Sequence, residues 1–217
     1  MTTSFVYSAI GDSLTFGTGA PDYRGFTFRI EEVLKQCHPS FRSYNFGVVG
    51  ATTKETLHRL RTDEEIRRRI ASADLITVTS GGNDLIQAAK KVYFEGALRS
   101  MKQPMRKFAL AYEALIAELV RLNRTIQRGS TIVVTDCYNP FPRVRDAVLW
   151  IQYVNRVIRR VADRYDGRVV VAKTHDAFAG NIDFLMSDDG VHPNRAGYRV
   201  MADAVMEAIL QVEVLKC

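Results

Sequence analysis

The chain is poor in cysteine. Cys37, Cys137 and Cys217 are the only three in 217 residues, widely spaced and without a Cys-x-x-Cys pair. That usage argues against a disulfide framework or a cysteine zinc site and predicts free thiols in a reducing compartment. No apolar run approaches the ~20 residues of a membrane-spanning helix. The first ten residues carry no basic group ahead of their short apolar run, so they read as a first strand and not as a secretory leader. A cytoplasmic location is therefore the expectation. Internal repeats, low-complexity tracts and linkers are also missing, which predicts one domain over residues 1–217. No helix-turn-helix, zinc-finger or aromatic stacking motif is present, so no nucleic-acid partner is expected.

What the chain does contain is ordinary for a water-soluble globular fold: 47% hydrophobic and 25% charged residues. The length suits one α/β domain with a sizeable core. The formal net charge is +6, and basic residues cluster at Arg67-Arg68-Arg69 and at Arg156, Arg159, Arg160 and Arg164. Charge runs of this kind are ordinarily solvated helix faces. The same surface can attract anionic lipid, so a peripheral lipid contact belongs among the candidate partners. Cys137 ends an apolar run and reads as a buried structural cysteine in preference to a reactive thiol.

Short β-branched runs alternate with longer helical patterns. The runs are Phe5–Ile10, Ser43–Val48, Leu75–Thr79, Thr131–Asp136 and Arg168–Ala172. The helical patterns are Thr27–Gln36, Thr53–Arg61, Asp63–Ala71, Met105–Ile126, Asp146–Tyr165 and Arg195–Val212. Such alternation predicts right-handed βαβ units and a mainly parallel sheet covered on both faces. Ligands of such sheets bind at the carboxyl ends of the strands. The segments expected there are Gly11-Asp12-Ser13, Asn45 to Gly50, Gly81-Gly82-Asn83-Asp84, Cys137 to Pro140, and Ser187 to Pro193. They are polar and punctuated by glycine.

Those segments hold the parts of a nucleophilic site. A serine hydroxyl needs a base to take its proton, and the base needs an acceptor on its other nitrogen. The oxyanion that follows needs fixed donors. Ser13 is the candidate nucleophile, His192 the base and Asp189, three residues earlier in a tight loop, its orienting carboxylate. Gly50 can offer an unshielded N–H, and Asn83 a neutral side-chain donor. The backbone N–H of Ser13 completes the candidate oxyanion hole. Asp188 is the alternative orienter. Asp12 reads as a loop-organising acceptor and Asp84 as an acid at a helix start. His175 lacks the Asp-x-x-His loop and reads as structural or exposed, and His38 and His58 have no partner signal.

Taken in order, these segments resemble the sequence blocks of the SGNH (GDSL) hydrolases over nearly the full length. Gly11-Asp12-Ser13-Leu14 is similar to the nucleophile block, and Asn45 to Thr52 to the second block, whose later glycine supplies an oxyanion-hole N–H. Gly50 takes that role ahead of Gly47. Gly81-Gly82-Asn83-Asp84 resembles the third block, and Asp189-Gly190-Val191-His192-Pro193 the last. Tyr138-Asn139-Pro140 is similar to lipase-like and lysophospholipase-like members. The resemblance implies a three-layer α/β/α flavodoxin-like sandwich on a mainly parallel five-stranded sheet. It also implies a Ser-His-Asp ester hydrolase with no metal or other cofactor.

Two other enzyme readings fail on the residues. A nucleophile elbow needs Gly-x-Ser-x-Gly, but Thr15 stands two residues after Ser13. No Gly-Lys-Ser/Thr follows Gly11–Gly19, which removes a phosphate-binding loop. A non-catalytic basic module would explain the charge but not the ordered Ser, Gly, Asn and Asp/His set. For substrate, the apolar stretch from Leu85 to Ser130 favours lipid or lysophospholipid esters. Its first part, Leu85–Met101, is a candidate acyl-pocket wall or lid. Acetyl esters of sugars and acyl-thioesters are the alternatives on the same site.

Overall fold

A computed structural model describes residues 4–94, 101–123 and 130–212. Five strands form one sheet: β1 (Phe5–Gly11), β2 (Phe41–Gly47), β3 (Leu75–Thr79), β4 (Thr131–Thr135) and β5 (Val169–Ala172). Their order is β2-β1-β3-β4-β5, and every neighbouring pair is parallel. The helices are α1 (Ser13–Phe16), α2 (Phe26–Cys37), α3 (Thr53–Thr62), α4 (Glu64–Ala71), α5 (Gly82–Phe94), α6 (Lys102–Asn123), α7 (Arg145–Ala162), α8 (Thr174–Phe178), α9 (Ile182–Leu185) and α10 (Arg195–Leu210).

The central strands Leu75–Thr79 and Thr131–Thr135 are buried along their whole length, as strands covered on both faces must be. Side chains alternate between two cores because the pleat has a period of two. Ile76, Val78, Ile132 and Val134 enter one core with Leu60, Phe108 and Ile158 of α3, α6 and α7. Leu75 and Val133 enter the other with Ile30, Tyr198 and Val205 of α2 and α10. The three-layer α/β/α sandwich is thus present.

Helix starts follow local chemistry. Thr52 and Glu55 form a reciprocal capping box at α3, while Asp63 caps α4 and Asn194 caps α10. On α7, Val154, Val157, Ile158 and Val161 are buried while Arg156, Arg159 and Arg160 face outward. That is the 3.6-residue stripe of a helix packed on a sheet.

The differences from the sequence reading are local. A helix beginning at Gly82 occupies the first part of the stretch read as a pocket wall or lid. Helices α1, α8 and α9 are too short to carry a periodic signal. The pattern ending at Ile126 is helix as far as Asn123, and residues 124–126 lie outside the described ones, as do residues 95–100. Cys37 is disulfide-bonded, which corrects the expectation of free thiols and removes that ground for a reducing compartment. Cys137 is free, and Cys217 lies outside the described residues. Among the described residues no helix is long and apolar enough to cross a membrane.

The topology decides where a ligand can sit. From β1 the chain steps to β2 on one side and then to β3 on the other. The strand order reverses at β1, and a crevice opens at the carboxyl ends of strands beside such a switch point. Ser13 leaves β1 there, and Gly82 and Asn83 leave β3.

Candidate active site

Ser13 opens α1, whose N-cap is Asp12. The Asp12 carboxylate accepts from the Leu14 N–H at 3.0 Å and from the Thr79 hydroxyl at 2.7 Å. Thr79 and Thr15 are joined by a further hydroxyl contact of 2.7 Å. This buried network ties the nucleophile turn to β3. Burial pushes the Asp12 carboxyl upward, and the Thr79 and Leu14 bonds oppose that shift. Asp12 is a structural acceptor, as its place in the turn suggested.

His192 Nε2 lies 2.8 Å from Ser13 Oγ, and His192 Nδ1 lies 2.5 Å from Asp189 Oδ2. The other Asp189 oxygen accepts from the N–H groups of Val191 and His192, each at 2.8 Å, and from the Ser187 hydroxyl at 3.0 Å. Burial works against the ionised form, but the His192, Val191 and Ser187 bonds outweigh it and hold Asp189 well below the usual carboxylate range. Among the described residues no hydrogen bond joins Asp188, which is exposed, to the imidazole. The geometry brings together Ser13, His192 and Asp189 and leaves Asp188 aside.

The loop carrying His192 is closed on itself and anchored. Met186 and Pro193 form an antiparallel bridge, and the Ser187 N–H donates to the His192 carbonyl at 2.8 Å. The Tyr138 hydroxyl donates to the Val191 carbonyl at 2.7 Å. Sequence reasoning missed this positioning role, because nothing local to the Tyr138-Asn139-Pro140 segment points to residue 191.

The candidate oxyanion donors converge from two other strand ends. Asn83 Nδ2 donates to the Ala51 carbonyl at 3.0 Å, which sets the amide beside the residue that follows Gly50. One amide hydrogen is left for a ligand. The Thr53 N–H and hydroxyl both bond Asp84, at 2.9 and 2.8 Å. Asp84 therefore joins the start of α5 to the start of α3, a larger task than complementing a helix dipole. Gly47 and Gly50 differ in what they need. A Cβ on Gly47 would stand 2.3 Å from the Phe16 nitrogen, so Gly47 is a packing glycine under α1. Gly50 has φ +81° and open space where a Cβ would go, so its requirement is the left-handed backbone and not clearance. Gly50 is exposed and is not among the residues that line the cavity described next.

A cavity of about 300 Å³ opens at Ser13, Asn83 and His192. Leu85, Ile86 and Ala89 of α5 form one wall, and Phe141, Val144, Ala147, Trp150 and Ile151 form the other. The α5 half fits the expectation for Leu85–Met101. The α7 half was missed, although the spacing of Ala147, Trp150 and Ile151 is that of one helix face. Cys137 also lines the cavity, but burial drives its thiol upward, away from the reactive thiolate.

The remaining candidates fall elsewhere. The His175 N–H donates to Asp136 and its ring contacts Asp176. His38 stacks on Phe5, and His58 is exposed on α3. Arg67 pairs with Glu118, and Arg68 and Arg69 pair with Glu65. Arg159 pairs with Asp136 and Arg164 with Glu113. Much of the basic charge seen in the sequence is thus compensated within the fold. Among the described residues no group of three or more His, Cys, Asp or Glu side chains is arranged to hold a metal ion.

The comparisons agree with this architecture. The GDSL-like lipase/acylhydrolase family matches residues 9–200. The spore germination lipase LipC of Bacillus licheniformis is 27% identical, covering 93% of this chain and 95% of its own. The crystal structure of the lipase Lip_vut3 from a goat rumen metagenome superimposes with a TM-score of 0.84 at 27% identity, covering 94% of this chain and 97% of that one. An acetylxylan esterase of Geobacillus stearothermophilus, Axe2, shares the fold at a TM-score of 0.71 and 19% identity, with 96% of each chain covered.

Proposed function

The chain belongs to the GDSL-like lipase/acylhydrolase family and is an ester hydrolase, and from that premise we propose a Ser13–His192–Asp189 triad acting on esters with an apolar acyl chain. The observation that carries the triad is the unbroken hydrogen-bonded chain from Ser13 Oγ through the imidazole to the Asp189 carboxylate. His192 Nε2 takes the hydroxyl proton as Ser13 Oγ attacks the carbonyl carbon, and Asp189 stabilises the imidazolium that forms. The negative oxygen of the tetrahedral intermediate is met by N–H groups of Ser13 and Gly50 and by the Asn83 amide. Collapse expels the alcohol, which receives the proton from His192. Water then attacks the acyl-serine by the same route in reverse.

The substrate class rests on the cavity. Its walls beyond the polar end are aliphatic and aromatic side chains of α5, of α7 and of the segment that leads into α7. A sugar would leave its hydroxyls unpaired against such walls, at a cost in binding for each group desolvated. A cavity of about 300 Å³ with such walls suits an acyl chain of medium length. Acyl-thioesters would offer the same chain to the same cavity.

A fluorophosphonate should label Ser13 once per chain, and labelling at any other residue would refute the nucleophile assignment. A panel of p-nitrophenyl esters from acetate to palmitate, with lysophospholipid vesicles, acetylated sugars and acyl-thioesters alongside, tests the substrate class. An optimum at medium chain length is expected. Activity confined to acetylated sugars would overturn the lipid reading and leave the triad standing.

A further inference from the structure

A second open groove, of about 700 Å³, is lined by residues on both flanks of the His192 loop and shares none with the acyl cavity. Its floor includes Ser187 and Asp188, and its walls carry Arg29 from α2 and Arg195 and Arg199 from the first turns of α10. Arg195 and Arg199 are exposed, whereas Arg29 is half-buried, with its Nε–H shut off from water and without a partner. The arginine clusters evident in the sequence are largely paired with Glu65, Glu113, Glu118 and Asp136. Among the described residues none of the three groove arginines has an ion-pair partner, a condition that only Arg156 and Arg160 of the clusters share. Three arginines therefore line one groove with Asp188 as its one carboxylate.

We propose that this groove is a binding site for a phosphate-class anion. Like charges held together without compensation favour a bound counter-charge. The shape of the donors selects among anions. Three planar forks present more N–H groups than the two oxygens of a carboxylate can accept, while a phosphate monoester brings three terminal oxygens and nearly two charges. The site adjoins the catalytic loop. A Cβ placed on Gly19 in the groove wall would stand 2.9 Å from His192 Cβ and 3.0 Å from Ser187 Oγ. The Ser187 hydroxyl in turn donates to Asp189. A phosphate seated here adjoins Ser187 of the loop that carries the imidazole. Such a group is either the head of a lipid ester whose acyl chain enters the cavity or free phosphate.

Binding is tested first without any ester, so the outcome does not depend on Ser13 being the nucleophile. The melting temperature of the whole chain is followed in sodium phosphate and in sodium chloride at equal ionic strength. A saturable rise specific to phosphate is expected, because a ligand bound to the folded state alone stabilises it. Arg29→Gln should weaken the apparent affinity about fivefold, and the exposed pair Arg195→Gln/Arg199→Gln should weaken it further, by about twentyfold. The exposed pair keeps the test valid if Arg29→Gln does not fold. No difference between phosphate and chloride, or an undiminished difference in the double variant, would overturn the proposal. A kinetic arm then separates the sources. If 1-acyl-glycerol-3-phosphate has a lower KM than the monoacylglycerol of the same chain, and the double variant removes that advantage, the ligand is a lipid head group. If the two KM values match while phosphate still binds, the ligand is free phosphate.

Discussion

The two ends of the site are built on different principles. At the polar end, Ser13, Asp189 and His192 are held by hydrogen bonds of 2.5–3.0 Å, most of them made within six residues of chain. At the apolar end, α5 and α7 face each other across a cavity whose shape comes from side-chain packing. The first end is intolerant because each donor and acceptor has one productive position. The second is adjustable, since apolar contact is non-directional and scales with area. Substitutions at the two ends should therefore change different quantities.

The largest effect is expected at Ser13. Ser13→Ala should lower kcat by about 10⁴-fold or more, leaving only the contribution of binding and the oxyanion donors. Single-turnover kinetics on a p-nitrophenyl ester measures this, and a loss below about tenfold would move the nucleophile elsewhere.

Next comes the carboxylate. Asp189→Asn should cost about 10³–10⁴-fold in kcat through the wrong imidazole tautomer, whereas Asp188→Asn should stay within a few-fold of wild type. Asp189 is held below the usual carboxylate range, so it remains ionised through mild acid. A fall in kcat/KM in mild acid should therefore not be attributable to protonation of Asp189. If Asp188→Asn proved the more damaging change, the comparison between the two aspartates would reverse.

Asn83→Ala should lower kcat by about 10²–10³-fold with KM nearly unchanged, since the donor matters most once charge develops on the oxygen. Tyr138→Phe tests the join between the two ends. Tyr138 lines the cavity and its hydroxyl holds the Val191 carbonyl, so kcat should fall about fivefold at an unaltered acyl optimum, given a hydrogen bond worth about 1 kcal/mol.

The smallest change in rate, and the clearest change in preference, is expected at the apolar end. Trp150→Ala enlarges the cavity and should move the chain-length optimum upward. Each methylene newly buried is worth about 0.8 kcal/mol, or about fourfold in kcat/KM. Ala147→Leu should move the optimum downward. An unchanged ester profile in both variants would show that the acyl chain does not enter between α5 and α7.

The same division runs through what the sequence made legible. The five strands were visible because runs such as Leu75–Thr79 are rich in β-branched residues and bounded by glycine and polar residues. Helices such as α2 and α10 were visible through their periodicity, and the short α1, α8 and α9 were not. The Asp189–His192 pairing was legible because three residues and a glycine close a loop on themselves. The wall supplied by Phe141 to Ile151 was not, since nothing within that stretch says which helix it will face.

By itself, then, the sequence determined the order of strands and helices along the chain, the polar segments at the strand ends, and Ser13, Asn83, His192 and an aspartate of the 188–189 pair as the candidate chemical set. Period-two and period-3.6 patterns, caps and tight loops act over a few residues, so each is written locally. Tertiary structure decided the rest. It separated Asp189 from Asp188 by where the imidazole lies, and Gly47 from Gly50 by the approach of α1. It enclosed the cavity between α5 and α7, paired most of the clustered arginines with glutamates and aspartates, many of them far along the chain, and left Arg29, Arg195 and Arg199 lining one groove. These outcomes depend on the step from β2 across β1 to β3 and on the packing of helices over the sheet. Both join residues that are distant in sequence, and no local pattern encodes which of them will meet.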